Sequence, residues 1–204
     1  MREYTIKPLK QAEITAPIGV GMMMQDMLQT VTCPVFVWYI EGAKEKILID
    51  AGVSAPGEDG KVCDFPVVGG GEEGFRKALK EVGTSPEDID ILILTHLHFD
   101  HTACAKLFKN SRIYVQKIEW EVAFNPIPMW RSLYDSTLFS PLKNMNLILV
   151  EDDYEILDGI KLLLLPGHTQ GLQGLALSTK RGTAVLTSDL CYTYSNVISP
   201  FPDT

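Results

Sequence analysis

The amino-acid sequence predicts an α+β protein in which two mixed β-sheets pack together and helices cover their outer faces. Two β-rich apolar runs, residues 35–40 and 46–50, flank a polar turn and predict a hairpin. Residues 89–96, IDILILTH, are apolar almost throughout, which is typical of a strand buried on both faces. Residues 172–190 predict a second hairpin that turns at 180–182. Antiparallel strand pairs with helices between them favour this architecture over a doubly wound parallel sheet.

The elements between these strands are predicted from local spacing. Residues 72–83 place apolar side chains on one helical face and end in glycine. Residues 54–71 are rich in Gly, Pro, Asp and Glu and predict a long surface loop. Residues 102–108 can open a helix, 112–116 predict a strand and 117–125 a helix, and the proline-punctuated stretch after them predicts an irregular cover segment.

Composition excludes several classes of protein. The chain has 204 residues, of which 46% are apolar, so a single domain over residues 1–204 can bury a sizeable core. Its formal charge of -8 argues against nucleic acid and anionic membranes as partners. No apolar run approaches the length of a membrane span, and no secretory signal is visible at the start. Four scattered cysteines predict free thiols, so we expect a cytoplasmic protein.

Three of the four histidines lie in one short stretch, THLHFDHT, directly after a predicted strand. His96 and His98 are two residues apart, so both imidazoles can project to the same side and reach one metal ion, with Leu97 and Phe99 turned into the core. Asp100 and His101 are neighbours at the following turn, where they can bind a second ion beside the first. The spacing therefore predicts two metal ions.

Two later residues repeat this placement after a strand. His168 follows an apolar run in LLLLPGHTQG, and Asp189 follows another in VLTSDL. A lone histidine at a strand end is more often a satisfied polar residue than a ligand. The H-x-H-x-D-H pattern is far more specific and predicts metal binding. Histidine with carboxylate suits zinc first, with manganese, iron and cobalt as alternatives.

In these motifs the chain resembles the metallo-β-lactamase superfamily. The pattern of His96, His98, Asp100 and His101, then His168 and Asp189, occurs in that superfamily's order, and ILIDAG resembles its Asp-x-Gly turn. The resemblance covers residues from about 35 to 192. It implies the αβ/βα sandwich fold and a site for two divalent ions.

The resemblance also implies a role for each ligand. His96, His98 and His168 would hold the first ion, Asp100 and His101 the second, and Asp189 would bridge the two. The superfamily usually supplies a further histidine to the second ion, and the sequence has none after His168. We therefore expect a C-terminally truncated domain that lacks the final strand and helix of the fold.

Two bound metal ions would activate a bridging water as hydroxide, which predicts a hydrolase. Tyr192, three residues after Asp189, matches the tyrosine of the quorum-quenching N-acyl-homoserine lactonases, and THLHFDH and PGHTQGLQGL are also similar to that group. The Tyr192 phenol would donate a hydrogen bond to the oxyanion that forms from the lactone carbonyl. Asp100 or Asp189 would move the proton. The predicted substrate is thus a small acyl lactone.

Several alternatives remain open at this point. A glyoxalase-II-like thioesterase or a general esterase shares the ligand pattern, and a non-catalytic metal-binding module follows if the missing histidine is a natural absence. GMMMQDML, residues 21–28, and Met129 with Trp130 could line an apolar trough for an acyl chain or fill the core. Tyr192 could be a packed core residue, with Tyr194 as its rival for the site. The sequence leaves a monomer and a homodimer open.

Overall fold

The computed structural model describes residues 2–17, 28–193 and 196–197. The strands among these residues are, in chain order, β1 (Thr5–Pro17), β2 (Thr30–Glu41), β3 (Ile47–Ile49), β4 (Lys61–Val62), β5 (Phe65–Gly69), β6 (Ile91–Ile93), β7 (Arg112–Gln116), β8 (Leu147–Val150), β9 (Tyr154–Leu157), β10 (Ile160–Leu164), β11 (Gln173–Thr179) and β12 (Gly182–Leu186). The α-helices are α1 (Gly71–Lys80), α2 (Phe99–Thr102), α3 (Lys117–Phe124) and α4 (Ser136–Phe139). Short 3₁₀ helices cover Pro86–Asp88, Ala105–Leu107, Pro128–Leu133, Ser140–Asn144 and Ser188–Leu190.

The strands form two sheets. The larger has eight strands in the order β4-β5-β1-β2-β3-β6-β7-β8, and the smaller has four in the order β12-β11-β10-β9. In the larger sheet β3, β6, β7 and β8 run parallel to one another, while β1, β2 and β3 pair antiparallel. The smaller sheet is antiparallel throughout. The predicted pair of packed sheets is confirmed, but only the larger sheet is mixed, so the prediction of two mixed sheets was wrong for the smaller one.

Side chains of the central strands alternate between two core layers, one between the sheets and one beneath the helices. Successive strand side chains point to opposite faces, so in β3 Ile47 and Ile49 pack towards the smaller sheet while Leu48 packs towards the helices. In β6, Leu92 lies on the helical side in the same way. The layer between the sheets receives Leu162, among others, from the smaller sheet, and the helical layer receives side chains from α1, α3 and α4. These central strands are buried on both faces, which is why their sequences are continuously apolar.

The described structure departs from the sequence prediction at β1, at β5 and at residues 102–108, where only the short 3₁₀ helix Ala105–Leu107 forms. The first strand, β1, was not anticipated, although it pairs with β2 over almost its whole length. The predicted surface loop at 54–71 contains β4 and β5, and β5 pairs with β1 and buries Val67. The glycines and prolines of this segment predicted a loop, because both residue types are depleted in sheet interiors. They are tolerated in β5 because this strand lies near the edge of the sheet.

The fold brings three loop segments to one edge of the sandwich. The histidine-rich segment follows β6 of the larger sheet, His168 lies between β10 and β11 of the smaller sheet, and Asp189 follows β12. Catalytic and binding residues are commonly found on loops that a rigid sheet positions. Among the described helices, none is long and apolar enough to cross a membrane.

Candidate metal centre

Three imidazoles meet at this edge and form what we call the histidine cluster, His96, His98 and His168. His96 Nε2 lies 3.1 Å from His98 Nδ1, and His168 Nε2 lies 3.0 Å from the same nitrogen. One ligand atom from each residue falls within 4.8 Å of the other two. Zinc–nitrogen bonds of about 2.0–2.1 Å in tetrahedral geometry place two nitrogens roughly 3.3 Å apart. The donor set therefore fits a divalent ion.

Burial keeps these imidazoles in the form that binds metal. His96 and His98 are almost completely buried, and this burial lowers the pKa of both rings well below the usual range. Burial also lowers the pKa of His168. Neutral imidazole offers a nitrogen lone pair, as a divalent cation requires.

A second group of ligand atoms lies beside the histidine cluster. His101 Nε2 is 3.4 Å from Asp189 Oδ1 and 3.7 Å from Asp100 Oδ2. Asp189 Oδ2 in turn lies 3.7 Å from His168 Nε2. Asp189 thus directs one oxygen towards each group, which is the placement of a bridging carboxylate. Asp100 and His101 belong to the short helix α2, which begins at the end of the histidine-rich loop.

Charge distinguishes this second group from the first. Burial raises the pKa of Asp100 to about 6. Burial by itself would lower the pKa of the His101 imidazole. The negative charges of Asp189, Asp50 and Asp100 have a larger combined effect and raise this pKa well above its usual range. Burial likewise favours the neutral form of Asp189, yet the neighbouring His101 outweighs this effect and holds the pKa of the carboxyl below its usual range. The group is thus rich in negative charge and suits a cation.

Asp50, directly after β3, forms hydrogen bonds with Thr95, the neighbour of His96, and with His101. Its carboxylate accepts hydrogen bonds from the Thr95 amide at 2.8 Å and the Thr95 hydroxyl at 3.0 Å, and its Oδ2 lies 2.8 Å from His101 Nδ1. The Thr95 hydroxyl also receives a 2.9 Å hydrogen bond from Ser188, next to Asp189. Asp50 leaves the strand at φ 65°, a left-handed conformation that turns the chain sharply under the site. Such partners fix the orientation of a ligating imidazole.

Tyr192 reaches the boundary between the two groups. Its hydroxyl donates to Asp189 Oδ2 at 3.1 Å and lies 3.3 Å from His168 Nδ1. The residue is 42% exposed, so the alternative of a packed core tyrosine is wrong. Tyr194 lies outside the described residues.

A cleft of about 380 Å³ opens over the second group. Asp100, His101, Asp189 and Tyr192 line its polar side. Its apolar side is formed mainly by β2 and β12, with Ile14, Val35, Phe36, Trp38, Val185 and Leu186. The cleft can therefore receive a molecule with a polar head and an apolar body.

The suggested methionine trough is only partly described. Residues 22–24 and 27 lie outside the described part of the chain, and Leu28 beside them is 99% exposed. Met129 is 77% exposed, whereas Trp130 packs its ring 6.4 Å from that of His98 and lines a small pocket of about 80 Å³ behind His168.

Sequence reasoning missed Glu119, a fully buried carboxylate on α3 that accepts hydrogen bonds from both histidine-bearing loops. Its position in KIEWEVAF resembles any charged residue of a surface helix. Only its i,i+4 spacing from Ala123, on the buried side of α3, could have indicated burial.

Comparison with known proteins agrees with this geometry. The family model of the metallo-beta-lactamase superfamily matches residues 30–203. An N-acyl homoserine lactonase of Bacillus sp. is 35% identical over 178 residues, which cover 83% of this chain and 68% of that protein. The N-acyl homoserine lactonase AiiB of Agrobacterium fabrum is 29% identical over 184 residues, which cover 82% of this chain and 66% of that protein. The crystal structure of a quorum-quenching N-acyl homoserine lactone hydrolase superposes with a TM-score of 0.79 at 28% identity, covering 96% of this chain and 77% of that one.

A mixed sheet and an antiparallel sheet with a histidine and carboxylate site at their shared edge define the class as a metallo-β-lactamase-type domain. With the family model matching most of its length, the chain belongs to the metallo-β-lactamase superfamily.

Proposed function

We propose that this protein is a metal-dependent lactonase that opens the ring of N-acyl homoserine lactones. One observation carries the proposal: Asp189, which lies between the histidine cluster and His101, lines a cleft that has the Tyr192 hydroxyl at its polar end and an apolar wall along β2. The relatives named N-acyl homoserine lactonase support this substrate class. In one structural neighbour, which matches at 29% identity, the product N-hexanoyl-L-homoserine is bound at the catalytic metal centre.

We assign His96, His98 and His168 to a first divalent ion, Asp100 and His101 to a second, and Asp189 to both. Zinc is the proposed metal, because imidazole and carboxylate are its usual ligands in hydrolytic sites. When bound, a pair of such ions activates water and polarises a carbonyl oxygen at neutral pH. The four free thiols support a reducing cytoplasm as the location.

Side chains of the cleft would stabilise the oxyanion, transfer the proton and bind the acyl chain. Hydrolysis adds water to the lactone carbonyl carbon, breaks the ring C–O bond and leaves a carboxylate and a hydroxyl. We assign Tyr192 Oη, which lies beside Asp189, to transfer its one hydrogen bond from Asp189 to the carbonyl oxygen as negative charge develops on that oxygen. A carboxylate oxygen of Asp189 or Asp100 accepts the proton from water and returns it to the departing ring oxygen. The apolar wall of the cleft holds the acyl chain.

The assignment is tested with the purified chain, zinc and a series of N-acyl homoserine lactones of increasing acyl length. We expect proton release on ring opening, detected with a pH indicator, to disappear after chelation and return when zinc is restored. A glutathione thioester and a chromogenic β-lactam serve as control substrates. Faster hydrolysis of the thioester, or lactone hydrolysis that survives complete metal removal, would contradict the proposal.

Tyr192→Phe is expected to reduce kcat for the lactone by roughly 10²-fold, the low end for loss of one oxyanion donor. The ring and its contact with His168 remain, so KM should change little. Steady-state kinetics measures both constants. Tyr154→Phe, which removes a phenol hydroxyl from an exposed residue on β9, is the matched control. An unchanged kcat in Tyr192→Phe would remove the tyrosine from the mechanism.

A further inference from the structure

Glu119 is a buried carboxylate that lies between the two loops carrying the histidine cluster. It belongs to the first turn of α3 and is completely inaccessible to solvent. A carboxylate in such a place is costly unless every oxygen is hydrogen-bonded. Burial does raise the pKa of Glu119, and the hydrogen bonds that it accepts oppose this increase.

One oxygen holds the loop that follows β6. Oε1 accepts a 3.0 Å hydrogen bond from the backbone N–H of Leu97, the residue between His96 and His98. The same oxygen accepts a 3.0 Å hydrogen bond from the Tyr134 hydroxyl. The Tyr134 ring packs edge to face with the His98 ring, with 4.6 Å between centroids. This oxygen therefore fixes the backbone between His96 and His98, and it also fixes the Tyr134 ring against His98.

The other oxygen holds the loop between β10 and β11. Oε2 accepts a 2.7 Å hydrogen bond from the hydroxyl of Thr169, the neighbour of His168, and a 3.2 Å hydrogen bond from the Gly171 backbone N–H. This loop comes from the smaller sheet, whereas the Leu97 segment comes from the larger one. A single side chain thus joins the loops of both sheets at the site.

We propose that Glu119 is a positioning residue that sets the mutual geometry of the three imidazoles in the histidine cluster. Of its four hydrogen bonds, two end on residues next to an imidazole, Leu97 and Thr169, and one ends on Tyr134, which packs against the His98 ring. The fourth ends on Gly171, three residues after His168 in the same loop. Mutation of such outer partners typically lowers metal affinity by about 10–100-fold. The inference rests on the proposed metal site and is independent of the substrate.

The chemistry of the four donors explains why a carboxylate is needed. An ionised carboxylate only accepts, and it has enough lone pairs for two backbone N–H groups and two hydroxyls. Glutamine has nearly the same shape but would turn an NH₂ group towards either the Leu97 amide or the Gly171 amide. Neither backbone N–H can become an acceptor, so at least one loop must move.

The main test compares Glu119→Gln with Glu121→Gln, which removes the same charge from an exposed position of the same helix. Zinc affinity is measured by competition with a chromophoric chelator, and the cobalt form is examined by visible absorption. We expect Glu119→Gln to bind zinc about 10–100-fold more weakly and to alter the cobalt spectrum. Glu121→Gln should match the wild type in both. Wild-type affinity and spectrum in folded Glu119→Gln would overturn the proposal.

A second pair keeps the test decisive if Glu119→Gln does not fold. Thr169→Val removes the 2.7 Å donor while keeping the side-chain shape, and Thr169→Ser restores the hydroxyl. We expect zinc affinity to fall about tenfold in the valine variant and to recover in the serine variant. Equal affinities in the two variants would contradict the inference. A wild-type protein that binds zinc but leaves every lactone intact would refute the proposed function alone.

Discussion

Asp189→Ala is expected to reduce lactone turnover by up to roughly 10⁴-fold, the full effect of losing a group that transfers protons in the reaction. The substitution removes the oxygen that faces His101 at 3.4 Å and the oxygen that faces His168 at 3.7 Å. It also leaves the Tyr192 hydroxyl without its 3.1 Å acceptor. Under the proposed assignment Asp189 serves both ions, so the number of zinc ions bound per chain should fall as well.

Turnover and zinc content, measured on the same preparation, check this prediction. Glu58→Gln, a loss of the same charge at an exposed position, is the control and should keep both values. An Asp189→Ala protein with full turnover would refute the proposed mechanism. Full zinc content with no turnover would instead restrict Asp189 to proton transfer.

Gly171→Ala is expected to lower the free energy of unfolding by about 3 kcal/mol, at the upper end of the usual cost of overpacking. A Cβ atom at this position would lie 2.3 Å from the Glu119 backbone nitrogen and 2.6 Å from its Cα. Neither atom can move without displacing α3. The loop must therefore shift, and His168, three residues earlier, would shift with it.

For a chain of this length, a loss of this size corresponds to a decrease in Tm of roughly 6–12 °C. Thermal unfolding followed by circular dichroism measures it. Gly57→Ala is the matched control, because the added methyl would lie 3.3 Å from the Asp59 side chain and at an ordinary contact distance of 3.8 Å from the Lys61 carbonyl oxygen. Its effect should stay within about 0.5 kcal/mol. If the two variants unfold at the same temperature, the close packing of Gly171 against Glu119 does not limit stability.

The sequence predicted the paired sheets, because alternation and continuous apolar runs report directly which strand faces are buried. It also singled out His96, His98, Asp100, His101, His168 and Asp189, and the described structure gathers these residues at one edge. Their assigned roles as ligands stay a prediction. The histidine motif was informative because its residue types are rare and closely spaced.

What the sequence did not predict depends on contacts between distant segments. The pairing of β1 with β2 and β5 is non-local, and a strand with lysines and prolines resembles a loop when read alone. Glu119 receives its donors from residues 15 to 52 positions away. No spacing rule within one helix can reveal such partners. The sequence presents Asp50 only as part of a turn motif, because its hydrogen-bond partners Thr95 and His101 lie 45 and 51 positions away.

The histidine cluster draws His96 and His98 from one sheet and His168 from the other, so an ion held there would act as a cross-link between the two halves of the sandwich. Ligand that binds only the folded state adds about 1.4 kcal/mol of stability for every tenfold rise in its free concentration above Kd. The lifetime of this protein in a cell would then follow the supply of metal as well as the temperature. A shortage of metal would increase the unfolded fraction that proteases can cleave, in addition to removing the proposed activity.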